Sequence, residues 1–183
     1  TATSNTRSQF NTGEAQRAAE LAKDIVEKAQ EQDMKVSVAV LTWYNAQVMQ
    51  LVKLLRDVPS VTVGNVVNSQ GAEYDYVILS TVRRTYRGPL GVVGNTHFFN
   101  VAVTRARHGL CIIGEATTLR IAEAWGAIID LCQHEDTVSQ VKPNLVVDFD
   151  AYLRRCIRSG TPSEVPDLTS CTSGGEATWT QDV

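Results

Sequence analysis

The chain has 183 residues, which is enough for one domain with a buried core, and 43% of them are hydrophobic. Its net charge of −3 argues against strong, charge-driven binding of nucleic acid by the chain as a whole, although a local basic face is compatible with that charge. The four cysteines lie far apart and form no CxxC pair, which argues against a zinc site and favours reduced thiols.

No apolar run reaches the roughly 18 residues that a membrane-spanning helix needs. No charged-then-apolar signal opens the chain, so the sequence favours a cytoplasmic or nuclear protein with no membrane partner. Residues 1–12 are expected to be a linker from a preceding domain, because "TATSN" is typical of a position inside a longer polypeptide.

Helix-like and strand-like segments alternate along the first 135 residues. Apolar residues at spacings of three and four predict helices over residues 13–32, 44–58, 98–106 and 116–133. Short apolar runs predict strands over residues 35–42, 60–67, 74–82 and 109–114. Asn11 or Thr12 is available to cap the first helix, and Pro59 ends the second. The alternation indicates an α/β layer with a mostly parallel sheet, assigned to residues 13–136.

The pattern weakens after residue 136. A C-terminal extension over residues 137–159 is expected to contain one more helix, near residues 149–160. Residues 160–183 are rich in Ser, Thr, Gly and Pro and contain almost nothing to bury, so they are expected to be disordered.

Two polar clusters adjoin predicted strands: "NSQGAEYDYVILSTVRR" at residues 68–84 and "NVAVTRARHGLCIIG" at residues 100–114. In the first, Gly71 would let the backbone approach a ligand, Gln70 offers an amide, and Glu73 can accept from a sugar hydroxyl. In the second, two guanidinium groups beside a short helix could bind a phosphate through paired, charge-assisted hydrogen bonds. A purely structural role, such as a turn or an exposed helix face, has about even odds for either cluster alone.

These segments carry a family resemblance. Together with "VAVLTWYNAQV" at residues 38–48, they resemble, in order, motifs IV, V with its extension, and VI of superfamily 1 helicases. The likeness is strongest to the up-frameshift group, which acts in nonsense-mediated decay, and "SQGAEYDYVI" is also similar to nidovirus helicases. The resemblance covers residues 10–135. It implies a RecA-like, P-loop NTPase-type three-layer α/β domain, the second of two in an ATP-driven motor.

The resemblance implies roles for residues near the nucleotide. Arg105 matches the motif VI arginine that reaches the γ-phosphate of ATP from across the interdomain cleft, and Gln70 matches the glutamine that couples the nucleotide and nucleic-acid sites. Glu73 is expected toward the ribose and Gly71 near the phosphates. Asn100 and Thr104 match polar positions of motif VI that orient the arginine loop, and the resemblance assigns them to the nucleotide site.

Other matched positions imply contacts with single-stranded RNA or DNA. Arg83 matches the arginine that closes the motif V extension, and three small polar residues match the part of motif V that faces the strand backbone: Asn65, Asn68 and Ser69. Tyr44 or Trp43 could stack on a base, and core packing is expected for at least one of them. Trp43, Val67 and Ser69 depart from the residues usual at their positions, as do His97 and Phe98 before motif VI.

The chain contains no GxxxxGK[ST] sequence, so the phosphate loop of such motors is absent from these 183 residues. ATP and Mg²⁺ would then be held mainly by the first RecA-like domain, and this chain alone is expected to be inactive. The resemblance also implies movement in the 5′ to 3′ direction. A second hypothesis is a binding or scaffold module that has lost its motor; intact Gln70, Gly71, Glu73 and Arg105 favour the helicase.

Overall fold

The computed structural model describes residues 9–83 and 89–139, all within the first of the two units into which the chain divides, Thr1–Val147. The predicted helix at 149–160 and the predicted disordered tail lie outside the described residues. So do most of the predicted linker and most of the predicted extension.

Four parallel strands form one sheet. They are β1 (Val38–Thr42), β2 (Val61–Asn65), β3 (Tyr74–Ser80) and β4 (Ala106–Ile113), in the order β2-β1-β3-β4. All five residues of β1 are buried, which requires cover on both faces of the sheet. The chain is therefore the three-layer, RecA-like α/β domain that the sequence predicts.

Within the described residues, five α-helices accompany the sheet: α1 (Thr12–Glu31), α2 (Asn45–Leu54), α3 (Thr96–Val103), α4 (Ala116–Leu119) and α5 (Glu123–His134). The Asn11 side chain caps α1 by accepting the Glu14 N–H, so Asn11 is the cap and Thr12 is the first helical residue. One turn of 3₁₀ helix, Val66–Ser69, follows β2, and another, Gly91–Gly94, precedes α3. No described helix is long and apolar enough to cross a membrane.

An aromatic cluster fills the core on the side of α3 and α5. Trp125 is 1% exposed, packs edge-on against Phe99 and Trp43, and donates its indole N–H to the Val93 carbonyl. Trp43 is itself buried, so its role is core packing and it does not stack on a base. Tyr44, the next residue along the chain, is half-buried at the end of the same strand.

Several predicted boundaries were wrong. The helix predicted over 44–58 and ended by Pro59 stops at Leu54, and the strands predicted over 35–42, 74–82 and 109–114 span 38–42, 74–80 and 106–113. Three further differences have a clear physical reason. The strand predicted to reach residue 67 ends at Asn65, where the Asn65 side chain accepts the Val67 N–H and begins the 3₁₀ turn. The helix predicted over 98–106 ends at Val103, because the backbone from Arg105 onward pairs with β3. The helix predicted over 116–133 is interrupted between α4 and α5. The interruption lets Leu119 and Trp125 both be buried, although they would diverge by about 120° on one continuous helix.

The candidate site residues lie at two opposite ends of the strands. Residues 70–73 and 104–105 precede β3 and β4, and we call this end the amino edge. Residues 42–44, 65 and 80–83 end or follow β1, β2 and β3, and we call this end the carboxyl edge. The 3₁₀ turn at Val66–Ser69 belongs to the connection that leads from the end of β2 to the start of β3, and it packs against α3.

Candidate functional site

The amino edge brings the two polar clusters together. The Arg105 carbonyl accepts the Tyr74 N–H at 2.9 Å, and the Arg105 guanidinium donates to the Ala72 carbonyl at 2.9 Å. Glu73, Gly71 and Arg105 therefore lie at one edge of the sheet, as the motif order predicts.

The guanidinium of Arg105 is held by its own chain. Its Nε donates to the Val101 carbonyl at 2.8 Å, and its Nη2 donates to the Thr104 hydroxyl at 2.9 Å. The Thr104 hydroxyl is in turn held by the Asn100 carbonyl at 2.8 Å. With the bond to Ala72, three of the five N–H donors of Arg105 are used, and one remains on each terminal nitrogen. This arrangement orients the side chain and leaves a pair of donors for an oxyanion.

The charge of Arg105 is not neutralised by a carboxylate among residues 9–83 and 89–139. Arg107 is the arginine that makes ion pairs: its Nε lies 3.2 Å from Glu73 Oε2, and its Nη1 lies 3.9 Å from Asp75 Oδ1. Of the two guanidinium groups in this cluster, the one with a structural ion-pairing role is therefore that of Arg107. Glu73, the predicted ribose ligand, is 54% exposed and its partner equally so, which makes their ion pair weak enough for a ligand to replace.

Space for a ligand exists beside the arginine loop. Gly71 has φ +85°, and a Cβ at this position would meet no atom of the described residues within 4 Å. Glycine is thus required by the backbone conformation and not by crowding. The exposed side chains of Gln70 and Asn100 have no hydrogen-bond partner in the described part of the chain. The open space and the two free donors of Arg105 fit a phosphate group.

Sequence reasoning missed a cluster beneath this edge. Asp75 Oδ2 accepts the backbone N–H and the hydroxyl of Ser37, each at 2.8 Å. One extra residue in β4 lets both Arg107 and His108 lie opposite Asp75. Partial burial alone would raise the pKa of Asp75, but the hydrogen bonds from Ser37 and the charges of His108 and Arg107 outweigh it and lower the pKa. The "RH" pair before an apolar strand was the available signal.

The carboxyl edge presents Arg83 beside Tyr44. The guanidinium carbon of Arg83 lies 5.9 Å from the centre of the Tyr44 ring. Arg83 Nε donates to the Leu90 carbonyl, and Arg83 Nη1 donates to the Gln9 side-chain oxygen. Burial raises the pKa of Tyr44, and the nearby charge of Arg83 opposes that shift in part. The Tyr44 hydroxyl forms no hydrogen bond of good geometry within the described residues.

The other predicted strand contacts differ in how available they are. The Asn65 amide donates to the Trp43 carbonyl and to Asn45, and its oxygen accepts the Val67 N–H, so it is used within the fold. Ser69 is 7% exposed and donates to the Val66 carbonyl, which leaves its hydroxyl inside the turn. Asn68 is exposed. The geometry thus favours Arg83, Tyr44 and Asn68 over Ser69 as ligands of a strand.

A buried polar network behind the carboxyl edge was also missed. Glu14 Oε2 accepts the Ser80 hydroxyl at 2.9 Å and the Val82 N–H at 2.8 Å. The Gln47 side chain, fully buried, donates to Ser80 Oγ and accepts the Asn11 N–H. Burial raises the pKa of Glu14, although these hydrogen bonds oppose the shift. The "NTGEA" spacing at residues 11–15 was recognisable as a helix start, but not as a contact to residue 82.

Residues 1–117, about two thirds of the chain, match the model of the AAA domain family AAA_12. The chain belongs to this family. The family is one of P-loop NTPase domains, and the relatives are superfamily 1 helicases, so the recognised C-terminal domain of an up-frameshift-like helicase is confirmed.

Three relatives illustrate the match. The chain is 38% identical over 116 residues to the human "3'-5' exoribonuclease HELZ2", and the aligned region covers 55% of this chain and 4% of that protein. It is 28% identical over 134 residues to "Helicase sen1" of Schizosaccharomyces pombe, covering 70% of this chain and 8% of that protein. It is 34% identical over 129 residues to the mouse "5'-3' DNA helicase ZGRF1", covering 64% and 7%. The chain therefore corresponds to a small part of each of these relatives.

Proposed function

We propose that the chain is the second motor domain of an ATP-dependent RNA or DNA helicase in the cytoplasm or nucleus. Arg105 is the arginine finger for ATP held mainly, with its Mg²⁺, by a first RecA-like domain of the same polypeptide. Bound ATP supplies the phosphoryl group whose hydrolysis drives opening and closing of the two domains. Movement from 5′ to 3′ is part of the proposal, and the name of the mouse 5'-3' DNA helicase ZGRF1 gives that direction for that protein.

The observation that carries the proposal is the state of Arg105. Its side chain is fixed by three hydrogen bonds to the chain, yet no carboxylate of the described residues neutralises it, and one N–H on each terminal nitrogen remains. An arginine held in this way can stabilise charge that develops on the γ-phosphoryl group without moving first. A structural arginine would be expected to pair as Arg107 does.

The remaining roles follow from position. Gly71 gives the phosphates access at the amino edge, Glu73 accepts from the ribose after leaving Arg107, and Thr104 and Asn100 hold the arginine. Gln70 lies on the connection between the two edges, which suits a residue that couples ATP to the strand.

Arg83, Tyr44 and Asn68 form the proposed strand surface at and near the carboxyl edge, and Asn65 and Ser69 contribute by holding the backbone of the turn beside it. Cationic and aromatic groups at such a surface bind a single strand through its phosphates and bases.

The test uses the full-length polypeptide and its strand-stimulated ATPase. Arg105→Ala should lower kcat by about 10²-fold or more and change strand affinity little. Arg105→Lys should restore little activity, because a single ammonium group cannot bond Ala72 and Thr104 and also present two donors to phosphate. Arg107→Ala is the matched control and should keep kcat within about threefold, since Arg107 has carboxylate partners and no proposed part in the chemistry.

Thermal melting of each variant separates loss of folding from loss of chemistry. An Arg105→Ala variant that melts lower but hydrolyses ATP at the wild-type rate per folded molecule would show that the arginine is structural. A full-length protein without ATPase activity that still binds partners would instead favour the scaffold module.

A further inference from the structure

Val82 has an unusual backbone conformation immediately before Arg83. Its φ is +66°, in the left-handed region that a β-branched residue adopts only under constraint. Val82 is 6% exposed, so its side chain is buried and is not itself part of a binding surface. Strain of this kind persists where surrounding contacts enforce it, and it accumulates at functional sites.

The constraint on Val82 comes from Glu14, which lies 68 residues earlier in the chain, in the first turn of α1. Its Oε2 accepts the Val82 N–H at 2.8 Å, a charge-assisted bond across 68 residues of chain. The same oxygen accepts the Ser80 hydroxyl, and Ser80 is fixed by Gln47, so the carboxylate has little freedom to move. Its Oε1 accepts from Asn11.

Capping of α1 does not account for this contact. Asn11 already caps the helix by accepting the Glu14 N–H, and that bond needs only the backbone of Glu14. The carboxylate oxygen that bonds Val82 points away from the cap and into the carboxyl edge. A residue that served only the helix start would not have to reach residue 82.

The conformation of Val82 sets where the chain delivers Arg83. Two donors of Arg83 are anchored, by the Leu90 carbonyl and by Gln9, and the guanidinium lies over Tyr44. Gly91, at φ +61°, leaves room for it, since a Cβ there would lie 2.7 Å from Nη2. No carboxylate of the described residues pairs with Arg83, so its charge is available to a phosphate.

We infer that Glu14 is a positioning residue for strand binding: it holds Val82 in the left-handed conformation and thereby places Arg83 over Tyr44, where Arg83 contacts a backbone phosphate of single-stranded nucleic acid. This inference rests on the proposed function. It adds a half-buried acidic residue, remote in sequence, that acts on the strand only through Arg83.

The experiment measures ATPase activity of the full-length polypeptide as oligouridylate is titrated. Glu14→Ala should raise the half-saturating oligouridylate concentration about tenfold, and leave kcat at saturating ATP and strand within about twofold. Glu14→Gln keeps an acceptor oxygen for Val82 and should raise that concentration only about threefold. Glu20→Ala, which removes an exposed acidic residue of the same helix, is the control and should change neither quantity.

Two double variants test the path of the effect. Glu14→Ala with Val82→Gly should return strand activation to within about threefold of wild type, because glycine adopts positive φ without support. Glu14→Ala with Arg83→Ala should be no weaker than Arg83→Ala alone, because both changes remove one interaction. Melting temperatures identify variants that lose stability at the same time.

Three results would overturn the inference. Glu14→Ala could leave the half-saturating concentration unchanged, its effect could add fully to that of Arg83→Ala, or the double variant with Val82→Gly could fail to fold or to bind. If wild type hydrolyses ATP on oligouridylate and Arg83→Ala weakens activation in any of these cases, the proposed function stands and only the role of Glu14 falls. A wild-type protein that neither binds a strand nor hydrolyses ATP contradicts the proposed function itself.

Discussion

The two edges of the sheet hold their functional arginines in different ways. At the amino edge, Arg105 is fixed by bonds from its own guanidinium to nearby carbonyls and a hydroxyl, and Glu73 beside it is solvent-exposed. At the carboxyl edge, the guanidinium of Arg83 is also bonded, to the Leu90 carbonyl and to Gln9, but here the preceding residue, Val82, has a left-handed conformation and its N–H is bonded by the half-buried Glu14 carboxylate. The first edge suits a ligand that arrives and leaves with each cycle, and the second suits a surface whose shape must be kept.

Because the carboxyl edge is supported by a buried polar network, a substitution in that network should reduce stability more than the other changes considered below. Gln47→Leu should lower the free energy of unfolding by about 2–3 kcal/mol, because the change leaves the buried Ser80 hydroxyl and the backbone of Asn11 with fewer partners. Urea denaturation of the chain measures this. Gln50→Leu, on the same helix and half-exposed, is the control and should stay within about 0.5 kcal/mol of wild type. Equal losses in the two variants would mean that the network contributes nothing beyond ordinary helix packing.

The same contrast explains what the sequence could predict. Apolar periodicity and motif order predicted the parallel sheet, the edge shared by Glu73 and Arg105, and the core. They could not predict the bond from Glu14 to Val82, because its partners are 68 residues apart and neither residue type signals the other. The motif match singled out Arg105, but the sequence could not predict that Arg107 contacts Asp75, since the extra residue in β4 that turns Arg107 toward Asp75 exists only once the strands pair. The predicted ligand roles stay predictions.

The two edges should also respond to pH with opposite sign. The folded pKa of Glu14 is raised, so its contribution to stability is fully present below its unfolded pKa and is lost as pH rises through the folded value. The folded pKa of Asp75 is lowered, so its contribution is present above its unfolded pKa and is lost as pH falls through the folded value.

Thermal unfolding of Glu14→Gln and Asp75→Asn between pH 3 and pH 8 tests this contrast. The stability deficit of each variant relative to wild type is expected to change by an unfolding free energy on the order of 1 kcal/mol. The deficit of Asp75→Asn relative to wild type should grow as the pH rises from the acid end, because the amide cannot attract Arg107 and His108 as the carboxylate does. The deficit of Glu14→Gln should shrink over the same change. Deficits that move in the same direction with pH would remove the electrostatic distinction between the edges.

The smallest effect is expected where both partners are exposed. Arg107→Ala removes the ion pair with Glu73, in which each side chain is 54% exposed, and the longer contact with Asp75 at 3.9 Å, where His108 remains, so the free energy of unfolding should change by no more than about 0.5 kcal/mol. Because the same change frees Glu73, the KM for ATP of the full-length protein should stay the same or fall slightly. Glu73→Ala should instead raise the KM for ATP, since the proposed ribose acceptor is lost, while its melting temperature changes as little as that of Arg107→Ala. If both variants raised the KM equally, the ion pair itself would be needed for ATP binding, and Glu73 would act by holding Arg107 and not by contacting the ribose.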